Sequence, residues 1–136
     1  MKRKVGTLLF AGAVLVSGLA IGGNIAYART VKSYDTIVPR LGGSWISGTT
    51  IEKTSTTKGV NNNTANGGGH QKYTAITNSA GTEITEKKLM KTGQRVLLAY
   101  KKGEGDKGRK TRLKLQTRAT NIVNTQSRGT WSPDER

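Results

Sequence analysis

The 136-residue chain contains no cysteine. No disulfide can staple it, no thiolate can act as a nucleophile, and no lipid can be attached at a cysteine. Histidine occurs once, which excludes a zinc cluster of the His/Cys type. That histidine, His70, follows three glycines, where nothing holds a general base within reach of a partner. It reads as an exposed loop residue. No serine lies in a G-x-S-x-G nucleophile elbow. Acidic residues number only eight. Glu83 with Glu86 and Glu104 with Asp106 are the closest approach to a paired-carboxylate site. Surface pairs are the commoner explanation, and "GEGDKG" lacks the ligand spacing of an EF-hand. No cofactor, metal or catalytic residue is therefore expected.

What the chain does have begins at its N-terminus. Lys2, Arg3 and Lys4 precede the apolar run "VGTLLFAGAVLVSGLAIGG", and "AYA" at 26–28 supplies small residues at cleavage positions. This is the pattern of a secretory signal peptide cut after Ala28. An uncleaved anchor is the competing reading, because the run is nearly long enough to span a bilayer. Its glycines and the A-x-A end favour cleavage. The polar end "GTWSPDER" offers no second anchor, so a released, extracellular protein is expected.

Residues 29–136 read as one domain. They carry twenty basic and eight acidic residues, a net charge of +12, and only 17 Val, Ile, Leu or Phe. So little apolar material with so much charge makes disorder a serious alternative. The pattern argues against it. In "KTRLKLQT", Leu113 and Leu115 point one way and Arg112, Lys114 and Gln116 the other. Tyr34, Thr36 and Val38 share a face of "VKSYDTIV". "KYTAIT" and "TNIVNTQSRGTW" are strand-like, and "QRVLLAYKK" reads as a strand covered on both faces. "GTEITEKKLMKTG" reads as strand and turn. Six or seven short strands imply an all-β fold, a small antiparallel β-sandwich. Residues near 58–70, rich in Asn and Gly, read as a flexible surface loop.

The stretch "KKGEGDKGRKTRLKL" contains G-x-G-x-x-G at Gly103, Gly105 and Gly108. A dinucleotide cradle needs a helix after it, and here an alternating strand follows. The stretch reads as a hairpin loop joining "RVLLAY" to "RLKLQT". Its charge stands out. Lys101, Lys102, Lys107, Arg109, Lys110, Arg112, Lys114 and Arg118 form a candidate anion-binding patch. Lysine-rich strands also blunt edge aggregation, which is the bland alternative. Trp45 and Trp131 are candidate aromatic anchors or core caps.

The chain resembles a set of small, uncharacterised secreted proteins of Gram-positive bacteria, some of them associated with bacteriocins. The resemblance is carried by the early strand and Gly turn, Ser33 to Gly43, and by Thr120 to Glu135 with its "GTWSPDE" end. It implies a secreted cationic β-protein and supplies no catalytic residue. The reading reached is a non-enzymatic protein acting at a bacterial surface, bacteriocin-like or bacteriocin-associated. Its expected partner is an anionic envelope polymer or lipid surface, with extracellular nucleic acid bound only non-specifically. A matrix or polyanion-binding module and a small secreted hydrolase are the rivals.

Overall fold

The computed structural model describes residues 29–135. The expected signal peptide and its cleavage point lie outside them. Among the described residues no helix is long and apolar enough to cross a membrane. The fold is all-β, with two antiparallel sheets packed face to face. In chain order the strands are β1 Lys32–Val38, β2 Ser44–Ile46, β3 Ile51–Glu52, β4 Gly59–Asn66, β5 Lys72–Asn78, β6 Lys88–Met90, β7 Arg95–Leu98, β8 Lys110–Thr117 and β9 Thr125–Ser132. Sheet A runs β1-β9-β4-β7, and sheet B runs β2-β8-β5-β6 with β3 also on β8. The nine strands exceed the expected six or seven because β2, β3 and β6 are only two or three residues long.

Alternation makes the central strand of sheet B. Thr111, Leu113, Leu115 and Thr117 of β8 are buried, while Arg112, Lys114 and Gln116 face outward. Leu113 pairs in register with Ile76 of β5, and Leu115 with Thr74 on one side and Trp45 on the other. Val38, Ile76, Ile84, Met90, Val96, Leu98, Leu113, Leu115 and Trp131 meet between the sheets as one apolar core.

Sheet A adds buried polar side chains beside its share of that core. One of its two inner strands, β4, is the Asn-rich segment "GVNNNTAN", which corrects the expected flexible loop near 58–70 to a strand followed by a short turn at Gly67–Gly69. Asn61, Asn63 and Asn66 are buried. The register against β9 slips once. Gly129 opposes Asn63 and Arg128 opposes Ala65, so Thr64 is the extra residue of a bulge. The bulge lets Asn63 and Asn66 face inward on both sides of it. There Tyr34 Oη donates to Asn61 Oδ1 at 2.7 Å, Asn61 Nδ2 to Thr74 Oγ1 at 2.9 Å, and Ser127 Oγ to Asn66 Oδ1 at 3.0 Å. Partners of this kind offset much of the cost of burying amides, although Asn63 Oδ1 and Asn66 Nδ2 find none among the described residues. Gly129 is required beside them: a Cβ there would overlap the Asn62 carbonyl oxygen and crowd the Tyr34 hydroxyl.

Two connections also differ from expectation. "RVLLAY" and "RLKLQT" do not form a hairpin. β7 pairs with β4 in sheet A, β8 belongs to sheet B, and residues 99–109 cross between the sheets. Nor is β7 a central strand covered on both faces: it is the edge of sheet A, with Val96 and Leu98 buried while Arg95 is exposed and Leu97 half-buried.

At that crossover end lies a dry ion pair. Lys53 Nζ donates to Asp134 Oδ1 at 2.8 Å, and both side chains are wholly buried. The ammonium also donates to the Thr57 and Pro133 carbonyls, each at 2.9 Å, and lies 4.1 Å from the centre of the Tyr100 ring. Asp134 accepts from the Thr54 N–H at 2.7 Å and from Ser55 Oγ at 3.0 Å. Burial alone would raise the Asp134 pKa. The Lys53 hydrogen bond, the Thr54 N–H, Ser55 and the Lys53 charge outweigh it and hold the carboxyl below its ordinary value.

Removing one member of such a pair strands the other in a dry site. Asp134→Ala lowers the unfolding free energy by about 3–5 kcal/mol, and Lys53→Met added to it restores part of the loss. Because the folded pKa lies below the unfolded one, this stabilisation is present at neutral pH. It disappears as pH falls below about 4. Denaturant unfolding of wild type and both variants at pH 7 and pH 3 measures each effect.

Candidate functional site

The eight cations of the expected patch occupy two parts of the fold. Lys101, Lys102, Lys107 and Arg109 belong to the crossover, and Lys110, Arg112 and Lys114 to the outward row of β8. Arg118 is the first residue after that strand. Alternate residues put the row's cations about 7 Å apart along the strand. Small residues flank them on β5, where Ala75 opposes Lys114 and Thr77 opposes Arg112.

Acids answer two of the eight. Arg109 turns back on its own loop, 3.3 Å from Glu104, 3.7 Å from Asp106 and 3.1 Å from the Gly103 carbonyl. It closes the loop, and its charge is matched there. Gly103 and Gly108 take positive φ, 79° and 85°, while Gly105 packs against the Tyr100 ring. The G-x-G-x-x-G spacing therefore shapes a turn. Lys114 lies 2.8 Å from Glu83, which Lys87 approaches at 3.9 Å. Lys101, Lys102, Lys107, Lys110, Arg112 and Arg118 make no ion pair among the described residues. All but the half-buried Arg112 are exposed. Glu52 stands opposite Lys110 in register without closing to ion-pair distance.

Trp131 is not a surface anchor. Only 2% of it is exposed, because β9 turns it into the core. Trp45 is half-buried and packs on the core rim, its ring 6.3 Å from that of Tyr34. Both tryptophans line one shallow groove between β1 and β2. His70 is exposed at the end of the Gly67–Gly69 turn. Both carboxylate pairs engage cations, Glu83 with Lys114 and Glu104 with Arg109, and do not converge on one cleft. Among the described residues no group of three or more His, Asp or Glu side chains could hold a metal ion.

Sequence reading missed one cation of another kind. Lys72 of β5 is fully buried, with no carboxylate beside it among the described residues. Its Nζ donates only over long distances, to the Gln126 carbonyl at 3.2 Å and to Asn66 Oδ1 and the His70 carbonyl at 3.4 Å. Burial lowers its pKa to about 8. Its place at an inward position of a strand was the available signal, since Thr74 and Ile76 continue the same face.

No protein family, curated protein or solved structure matches the chain.

The unfolded chain holds the Lys72 proton to higher pH than the folded one, so folding becomes more favourable as pH rises from about 8 toward 10. Lys72→Met removes that slope. Between pH 7 and pH 9.5 the stability of wild type rises relative to the variant, which paired urea titrations at both pH values measure.

Proposed function

We propose that the chain from Arg29 onward is a secreted, cationic, non-enzymatic protein that acts at a bacterial surface, in the manner of a bacteriocin or of a protein exported beside one. It holds phosphate-rich envelope polymers against the outer face of sheet B and the adjoining crossover. One observation carries this reading. Six cations between Lys101 and Arg118 lack a counter-ion among the described residues, and five of them stand in solvent. A polymer that replaces their mobile counter-ions gains the entropy of ion release.

The outward row of β8 suits an extended anionic chain better than a compact ligand, because its charges repeat along one line. Tyr73 is the one aromatic residue of strands β5 and β8, in register with Gln116 and with Lys87 Nζ 5.9 Å from its ring centre. Base-stacking proteins set several aromatics along such a groove. A polymer of phosphates without bases is therefore favoured over single-stranded nucleic acid.

Immobilised poly(glycerol phosphate) tests the reading. Wild type is retained at low salt, and the logarithm of its affinity falls linearly with the logarithm of salt concentration. Lys101, Lys102, Lys107 and Lys110 changed together to Gln flatten that slope by about 0.7–0.9 for each phosphate no longer neutralised. An unchanged slope would remove the patch from the mechanism. Tighter retention on single-stranded DNA of equal charge would favour the nucleic-acid reading instead.

A further inference from the structure

The end of the sandwich away from Asp134 carries two adjoining loops. Residues 39–43 join β1 to β2, and residues 118–124 join β8 to β9. The Leu41 N–H donates to the Asn121 carbonyl at 2.7 Å, and the Arg40 N–H to Asn124 Oδ1 at 2.9 Å. The Gly42 N–H donates to Thr117 Oγ1 at 3.1 Å. The two loops are thus one tied surface.

That surface is built against the usual preferences. Leu41 has φ of +58° and is the one non-glycine residue with positive φ among the described residues. A leucine rarely adopts this conformation, and held strain of this kind collects where function needs it. Burial does not compensate the strain, because Leu41 is 60% exposed. Ile122 and Val123, on the partner loop, are 72% and 43% exposed. Single exposed aliphatics are ordinary, but three on two tied loop tips form a patch. Arg40 and Arg118 flank them, exposed and without ion pairs among the described residues, and neither loop contains an acid.

Beside Ile122 the surface sinks into a concave site of about 340 Å³, lined also by His70, Gln71, Arg118 and Asn121. Asn121 is only 8% exposed. Its Oδ1 faces the Val123 N–H at 3.5 Å, which leaves Nδ2 as a buried donor with no partner among the described residues. Behind the wall, the Lys72 ammonium reaches the His70 carbonyl. A guanidinium and a free amide donor, with a buried cation behind, favour the oxygens of a phosphate group.

We propose that this loop end docks on an anionic lipid bilayer. Leu41, Ile122 and Val123 enter the boundary between headgroups and acyl chains, and Arg118 with Asn121 receives a headgroup phosphate. Apolar tips ringed by arginine suit that boundary, where the aliphatic part is buried and the charge stays with the phosphates. The proposal rests on the surface-acting function above and names lipid as what this end meets.

Vesicles of phosphatidylcholine, alone or mixed equally with phosphatidylglycerol, test it by co-sedimentation with the chain from Arg29 onward. Wild type binds the mixed vesicles and not the neutral ones. Leu41→Asn binds about tenfold more weakly or worse, as does Ile122→Ser with Val123→Ser. Asparagine accepts the left-handed conformation, so Leu41→Asn melts at or above the wild-type temperature, which separates a failure to dock from a failure to fold. Asn121→Ala weakens binding to the mixed vesicles while the apolar tips remain.

Equal vesicle binding by wild type and the loop variants overturns the docking and leaves polymer binding through Lys101 to Lys110 standing. Failure of wild type to bind either vesicles or polymer overturns both readings. A wild-type dimer that Leu41→Asn converts to monomer assigns the patch to a second copy of the chain and overturns lipid docking. Inorganic phosphate that shifts the Asn121 side-chain amide resonances, with no Leu41-dependent vesicle binding, assigns the cavity to free phosphate and overturns it equally.

Discussion

The contact between Lys53 and Asp134 joins positions 81 apart in a chain that has no disulfide to join them. Around it meet three segments with little apolar material of their own. The turn after β3 gives Thr54, Ser55 and Thr57. The crossover gives Tyr100, whose hydroxyl donates to the Pro133 carbonyl at 2.6 Å. The end of β9 gives Pro133 and Asp134. An ion pair in so dry a place carries a desolvation cost that Coulomb attraction alone seldom offsets. Here the ammonium donates to three oxygens and the carboxylate accepts from several donors, so neither charge is left unanswered. The same closure holds the "SPDE" end that the sequence offered only as a polar tail.

The interior mixes apolar and polar side chains from both sheets, which explains how a chain with so few aliphatic residues fills a core. Sheet B contributes Ile76, Leu113, Leu115 and Met90. Sheet A contributes Trp131, Tyr34, Val38, Val96 and Leu98, and beside them buried asparagines, serine and threonine. Amides and hydroxyls can fill a core only where each meets a partner, and a partly satisfied network is costly. Tyr34, Asn61 and Thr74 meet that condition through one another and Ser127 donates to Asn66 Oδ1, while Asn63 Oδ1 and Asn66 Nδ2 stay unpartnered among the described residues. Such a network depends on register, so the Thr64 bulge and the absent side chain of Gly129 are part of the core even though they add no apolar area.

This is also where reading the sequence succeeded and where it stopped. Alternation showed which side chains of β8 turn inward, and it placed Tyr34 and Val38 of β1 on one face. Alternation says nothing about the partner strand, so two neighbouring β-runs were joined as a hairpin although they belong to different sheets. "NNNTAN" failed for a different reason. Asparagine signals a turn through its affinity for nearby backbone groups, and a buried network satisfies that affinity equally well. The cationic patch was legible as composition. Its division into matched and unmatched charges was not, because Glu83 and Lys114 meet only once β8 lies near the turn after β5.

The two ends of the sandwich therefore do opposite things with their polar groups. At the Asp134 end the buried charges answer each other, and Tyr100 is so enclosed that burial, with the nearby Asp134 charge, pushes its hydroxyl well above the ordinary range. At the other end Lys72 is buried with no counter-ion among the described residues, Asn121 keeps an unused donor, and Leu41 holds a strained conformation in open solvent. Each of these features lowers the stability of the isolated chain, and all three lie where the loops after β1, β4 and β8 come together. A fold this short of apolar area has a narrow margin of stability. The strained Leu41 and the exposed aliphatics gathered at this end are what the proposed lipid contact answers, whereas other unpartnered buried atoms, Arg112 Nε and Asn63 Oδ1 among them, lie elsewhere in the sandwich.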